Sequence, residues 1–345
     1  MKKLYIATNQ ALAIARQHDG AWVVDPQLTG LAAQCLAVDP QYPEEVYCGT
    51  FGQGLWHSTN AGRTWENVGT TIIREQVMAV AISPVERSHG QSVIYAGTEP
   101  SAIFRSADGG ATWRDLATLR QLPSAPTWSF PPRPYTSHVR WITPDPLQPG
   151  RIYAAIEAGA LIRSFDGGET WEDRRPDGPF DTHTLAMHTR APNRLSAAAG
   201  DGFMHAGNGF VESDDGGDTW YRPDAGLNHH YLWSVAVDPA DPDTLVISAA
   251  YGPQQAHNPM SAESAVYRRS QNSPWHQVRA GLPEEKGLLT SVLTANPAEP
   301  GVFYAGSNQG LFRSADAGVS WEALPLRWPD NFQMGRVHAL VVLEE

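Results

Sequence analysis

The chain has 345 residues, 41% of them hydrophobic and 18% charged, and its 37 acidic and 25 basic side chains leave a formal net charge of -12. That composition belongs to a packed globular protein and not to a disordered one. An acidic body without a Lys/Arg stripe speaks against nucleic acid as a partner, and no apolar run approaches the ~20 residues of a membrane span.

Read from the N-terminus, Leu4-Tyr-Ile-Ala, Ala11 to Arg16 and Trp22 to Val24 are predicted strands. Lys2 and Lys3 ahead of an apolar stretch would suit a signal peptide. Asn9 and Gln10 interrupt that stretch, so a structural role in a cytoplasmic protein is expected instead. Two cysteines follow, Cys35 and Cys48. They flank a turn between predicted paired strands, and two buried thiols are the expected state.

From Leu31 onward the same pattern recurs. A Val-Ala-Val-Asp-Pro type strand comes first, as in Leu31 to Pro40, Gln76 to Pro84, His138 to Pro146, Asp181 to Thr189, Tyr231 to Pro239, Leu288 to Pro297 and Arg336 to Glu344. A second strand follows, clearest in Val46-Tyr-Cys-Gly, Val93-Ile-Tyr-Ala-Gly, Ile152-Tyr-Ala-Ala and Val302-Phe-Tyr-Ala-Gly, where the glycine is read as the strand's end. The third ends in Arg-Ser. A turn then leads to a tryptophan that opens the fourth.

That turn reads Ser106-Ala-Asp-Gly-Gly-Ala-Thr-Trp113, and it returns at Ser58 to Trp65, Ser164 to Trp171, Ser213 to Trp220 and Ser314 to Trp321. Worn copies end at Trp22 and Trp275. One loop repeated about every 50 residues is a structural turn and not one active site. Its Ser and Asp side chains bond nearby backbone, and its glycines supply positive φ. Repeats of four short strands indicate an all-β, seven-bladed β-propeller with four-stranded blades, one domain over residues 1–345. The N-terminal strands lack a first strand, and the C-terminus supplies a lone one. Residues 1–30 and 332–345 are therefore expected to share the closing blade.

The Ser-x-Asp-x-Gly-x-Thr-Trp turns resemble the Asp-box (BNR) repeats of the sialidase-like propellers. The resemblance spans nearly the whole chain and implies the fold. It does not fix an activity, because the group includes sialidases, reducing-end glucanases, sorting receptors and photosystem assembly factors. Sialidases carry an Arg-Ile-Pro motif that this chain lacks, and they hold a carboxylate with three arginines. Arg74, Arg140 and Arg336 lie near starts of first strands; they are read either as a corresponding carboxylate clamp or, the favoured reading, as three ordinary surface arginines.

The expected site lies on the face opposite the Ser-Asp turns, where the loops are long. The connections Ala117 to Tyr135, Asp173 to Phe180, Arg222 to His230 and Leu324 to Met334 reach it, as do the loops Gly200 to Gly209 and Tyr251 to Ser264. His138, His183, His205, His229, His230, His257 and His338 fall at first-strand starts or in those loops. Glu75, Asp181, Asp201, Tyr231 and Tyr251 join them. Histidine suits general acid/base work or metal binding, so a divalent metal on His183, His230 and His257 is one expectation. No His-Glu-x-x-His, CxxC pair or nucleophile elbow is present.

Of the tryptophans outside the repeat, Trp128 and Trp328 are read as anchors of their own long loops, and Trp141 and Trp233 as inter-blade core. Three functions compete. The favoured one is a binding module with a histidine-rich pocket for a glycan or small acidic molecule. The alternative is a hydrolase or lyase in the same pocket, metal-dependent or glycosidase-like, with Glu75, Asp181 and Asp201 as candidate carboxylates. A scaffold for a protein partner is the third.

Overall fold

A computed structural model describes residues 2–344 except 71–73, 134, 272, 331 and 333. Its sheets stand as seven blades around a central channel. Blades 1 to 6 run along the chain, with first strands Ala33–Val38, Gln76–Ser88, Val139–Pro144, Thr182–His188, Tyr231–Asp238 and Val292–Ala295. Blade 7 closes the ring. Its first strand, Val337–Glu344, pairs antiparallel with Lys2–Thr8, with Tyr5 opposite Val341. Each first strand contacts those of both neighbouring blades, so the seven line the channel in an unbroken ring. Below the mouth the channel is a space of ≈ 420 Å³, bordered mainly by Ala, Val and Leu.

The fourth strands are shorter than the sequence suggests. They shrink to Glu66–Asn67, Arg114–Asp115 and Glu322–Ala323, and in blades 3 and 4 to single bridges, Arg163 with Glu172 and Glu212 with Tyr221. These are the outer edges, where a long unpaired strand would invite aggregation. The tryptophans ahead of them turn inward, and Trp22, Trp171, Trp220, Trp275 and Trp321 are buried.

The turns have the expected chemistry. Gly168 lies at φ +88° and its N–H donates to Ser164 Oγ at 2.8 Å. The Asp166 carboxylate accepts from the Thr170 N–H at 2.9 Å and from its hydroxyl at 2.6 Å. The repeated tyrosine and arginine reach across to the next blade's turn. Tyr47 donates to the Gly109 carbonyl and Tyr153 to that of Gly216. Arg163 reaches Gly216 and Arg268 reaches Ala317. The glycine after Tyr-Ala does not end the second strand. The strand runs on through it, in Val46–Thr50 and Gln91–Glu99. Glycine is needed there because the next blade's first strand comes close. A Cβ on Gly49 would strike Val77, and one on Gly97 would strike Val139. Cys35 and Cys48 are buried free thiols, and burial pushes the Cys35 thiol up to about 12.

Candidate functional site

Six of the seven first strands carry a bulge at the same repeat position. Register skips one residue between Ala33 and Cys35, Val77 and Ala79, Val139 and Trp141, Thr182 and Thr184, and Leu232 and Ser234. In blade 7 it skips between Val337 and Ala339. The extra residues are Gln34, Met78, Arg140, His183, Trp233 and His338. A bulge leaves one residue without a ladder partner and re-aims its side chain. Gln34, Met78, Arg140, Trp233 and His338 all line one cavity of ≈ 750 Å³ at the channel mouth. His183, fully buried, lies against Trp233, with ring centroids 4.7 Å apart. The long loops complete the rim with Phe130, Phe180, Phe203 and Met204. An adjoining hollow of ≈ 630 Å³ shares Gln34, Arg133, His257, Arg336 and His338, so the mouth extends into a groove.

One wall is cationic. The guanidinium carbons of Arg140 and Arg336 sit 4.4 and 4.5 Å from the centroid of the Trp233 ring. Such contacts hold an arginine in place without neutralising it. Arg140 Nε lies 3.7 Å from Glu157 Oε2 and has no hydrogen-bond partner. Among the described residues, no hydrogen bond or ion pair is made by Arg336. Burial and the neighbouring Arg140 lower the Arg336 pKa to about 10. Burial and Arg336 press His257 down to about 2, and burial and both arginines press His338 to about 3. These two histidines are therefore neutral near neutral pH, and the positive charge resides in the arginines. Arg133 adds a third guanidinium, paired with Glu99 at 2.7 Å.

Beside Arg140 the lining turns acidic. Glu157 Oε2 is 2.6 Å from His138 Nε2. Burial alone would raise the Glu157 carboxyl, but His138, His183 and Arg140 hold it well below the usual range. Asp181 moves the other way. Burial raises it against the pull of His183, and Glu157 adds to the rise. Opposed shifts in neighbouring carboxyls give one group that stays ionised and one that can carry a proton. Oxygens of Glu157 and Asp181 and a ring nitrogen of His183 all lie within 4.8 Å of one another. The Tyr231 hydroxyl stands between His257 Nε2, at 3.0 Å, and His183 Nε2, at 3.5 Å.

Of the residues singled out in the sequence, the structure brings His138, Arg140, Asp181, Asp201, His205, Tyr231, His257, Arg336 and His338 into this cavity's lining, with His183 against it. Asp201 lines it but serves the backbone, accepting from the Phe180 and Asp181 N–H groups. The rest lie elsewhere. Arg74 and Glu75 are exposed ahead of their strand, and the Glu75 carbonyl is taken by Gly52 and Gly54. His229 is buried beside Tyr251, ring centroids 4.1 Å apart, with Nδ1 2.6 Å from the Tyr267 hydroxyl. Tyr251 itself faces solvent. His230 Nδ1 accepts from the Gly207 N–H. The trio His183, His230 and His257 is not brought together: among the described residues it is Glu157, Asp181 and His183 whose ligand atoms gather, and His230 is engaged by the neighbouring loop at Gly207.

Three contributors escaped sequence reading. Glu99 and Glu157 occupy equivalent positions at the ends of second strands, where blades 1 and 7 offer Phe51 and Asn9. That repeat position, variable beside a regular one, was the available signal. Trp233, expected in the inter-blade core, is the platform under both arginines. Trp128 does anchor its own loop, its indole N–H donating to Ser124 Oγ at 2.9 Å, and Trp328 stacks on Phe332.

No protein family model matches the chain. It is 25% identical over 223 residues to the xyloglucanase Xgh74A of Acetivibrio thermocellus, a match covering 59% of this chain and 22% of that protein. The chain thus aligns with about a fifth of the length of that curated relative. Among solved structures, the GH74 enzyme of Niastella koreensis superposes with a TM-score of 0.69 at 18% identity, over 92% of this chain and 51% of the other. YCF48 bound to D1 peptide superposes with a TM-score of 0.56 at 14% identity, over 93% and 85%. At these identities the structural likenesses establish the propeller fold.

Proposed function

We propose that the channel mouth binds a glycan or small molecule that carries a carboxylate. The observation that supports this most is the pair Arg140 and Arg336, held on Trp233 at 4.4 and 4.5 Å, with Glu157, 3.7 Å from Arg140 Nε, the one carboxylate paired with either among the described residues. Two guanidinium groups fixed in a cavity wall suit a planar anion with bidentate hydrogen bonding. The aromatic rim of Phe130, Phe180 and Phe203 supplies apolar surface for a sugar ring. Relatives named as a xyloglucanase and a GH74 enzyme support the glycan part of this reading. The recurring Ser-Asp turns support an Asp-box propeller, and two buried thiols suit a reducing compartment.

Isothermal titration with glucuronate and with glucose separates charge from ring. Glucuronate should bind and glucose should bind at least tenfold more weakly. Arg336→Gln and Arg140→Gln should each erase most of that difference. Equal binding of both sugars, unchanged in the variants, would contradict the reading.

A second reading rests on Glu157 and Asp181. Their facing oxygens lie within 4.8 Å, close to the ~5–5.5 Å carboxyl separation of retaining glycosidases. In that case the ionised Glu157 would be the nucleophile and Asp181 the acid. Release of nitrophenol from aryl glycosides, lost in Glu157→Gln, would support turnover over binding alone.

A further inference from the structure

We propose that Glu157, Asp181 and His183 form a site for one first-row divalent cation, foremost Zn²⁺, in the acidic wall of the channel mouth. The site does not depend on the carboxylate reading above, since the cation is measured without an organic ligand.

Each of the three side chains is held by one atom and leaves another free. His183 Nδ1 lies 2.6 Å from the Leu232 carbonyl, so Nδ1 carries the proton and donates. That leaves the Nε2 lone pair free. Asp181 Oδ1 accepts from the Ala158 N–H at 2.8 Å, which leaves Oδ2. Glu157 Oε2 is taken by His138 Nε2 at 2.6 Å, which leaves Oε1. The three remaining atoms face one another. Nε2 is 3.8 Å from Glu157 Oε1 and 3.7 Å from Asp181 Oδ2. Those spacings are too long for hydrogen bonds. They are a few tenths of an ångström wider than the ~3.4 Å between donors on a tetrahedral Zn²⁺ with bonds of about 2.0–2.2 Å, so the three donors would draw together slightly on binding.

A metal-ligating histidine usually donates its other N–H to a carbonyl or carboxylate, and ligating carboxylates are anchored in the same way. All three partners here are of that kind. His183 is fully buried, and among the described residues the only hydrogen-bond contact at its Nε2 is the Tyr231 hydroxyl at 3.5 Å. One imidazole with two carboxylates favours Zn²⁺ or Mn²⁺ over Ca²⁺, which prefers six or more oxygens. Three protein ligands leave a fourth position, and Glu157 and Asp181 line the cavity it would open into. Gly200 completes the cradle. A Cβ there would meet Asp181 Oδ2 and lie 3.0 Å from His183 Cε1.

The test is calorimetric titration of ZnCl₂, and in parallel CaCl₂, into untagged, chelator-stripped full chain. One equivalent of Zn²⁺ should bind saturably and raise the melting temperature, with Ca²⁺ at least tenfold weaker. Asp181→Asn and Gly200→Ala should each weaken Zn²⁺ at least tenfold, and the exposed His276→Ala should not. Should Asp181→Asn fail to fold, Gly200→Ala decides. Absence of saturable Zn²⁺ binding, wild-type affinity in the folded variants, or a preference for Ca²⁺ would overturn the site.

Discussion

His257 shows how much of this site is set by surroundings. It sits at the end of a short helix, Pro253–His257, and burial with the nearby Arg336 presses its pKa from 6.5 to about 2. A base with a depressed folded pKa leaves stability intact above its unfolded pKa. Below about pH 6.5 the unfolded chain takes up the proton first, and stability falls as pH drops toward the folded value. Melting temperature should therefore decline between pH 6.5 and 4, and His257→Gln should decline less, by about one proton's linkage. Parallel curves would contradict the assignment. Sequence reading could select this histidine by its loop. It could not separate it from His229 or His230, because those differ only in which neighbour takes the ring nitrogen. Arg74 and Arg140 look equally placed in sequence. Arg140 occupies the bulge of its strand, whereas Arg74 lies four residues ahead of the corresponding bulge residue, Met78, and stays outside.

At the scale of strands and turns, the repeat is a device for joining blades. Tyr153 and Arg163 both donate to the Gly216 carbonyl, at 3.0 and 2.7 Å. Because Arg163 remains, Tyr153→Phe should cost only about 1 kcal/mol, read as a shift in the denaturant midpoint. Asp215→Ala removes acceptors for the Thr219 N–H and hydroxyl, at 2.9 and 2.6 Å. It should cost about 0.5–1.5 kcal/mol at this solvated turn, and a gain in stability would count against the turn's role. The turns were legible in sequence because serine, aspartate and glycine have strong local preferences. The bulges were not, since a bulge is a property of two strands in register. Yet it is the bulge that carries Gln34, Met78, Arg140, His183, Trp233 and His338 to the mouth.

For the whole molecule, closure depends on the pairing of Val337–Glu344 with Lys2–Thr8. That strand buries Val337, Leu340 and Val342 against Leu4 and Ile6. Deleting residues 335–345 should open the ring and lower the melting temperature severely, while an unchanged melt would contradict closure. The seven-bladed count and the shared blade were readable from spacing alone. The face that holds the channel-mouth cavity was readable from loop length. The pocket's chemistry was not, because Arg140, Trp233 and Arg336 come from blades 3, 5 and 7 and meet only once the ring is closed. The most direct measurement is a crystal structure of the chain with a bound uronic acid. The account predicts its carboxylate within about 3.2 Å of both the Arg140 and Arg336 guanidinium groups. A uronate seated on the Ser-Asp turn face, or at the mouth with its carboxylate away from both arginines, would contradict it.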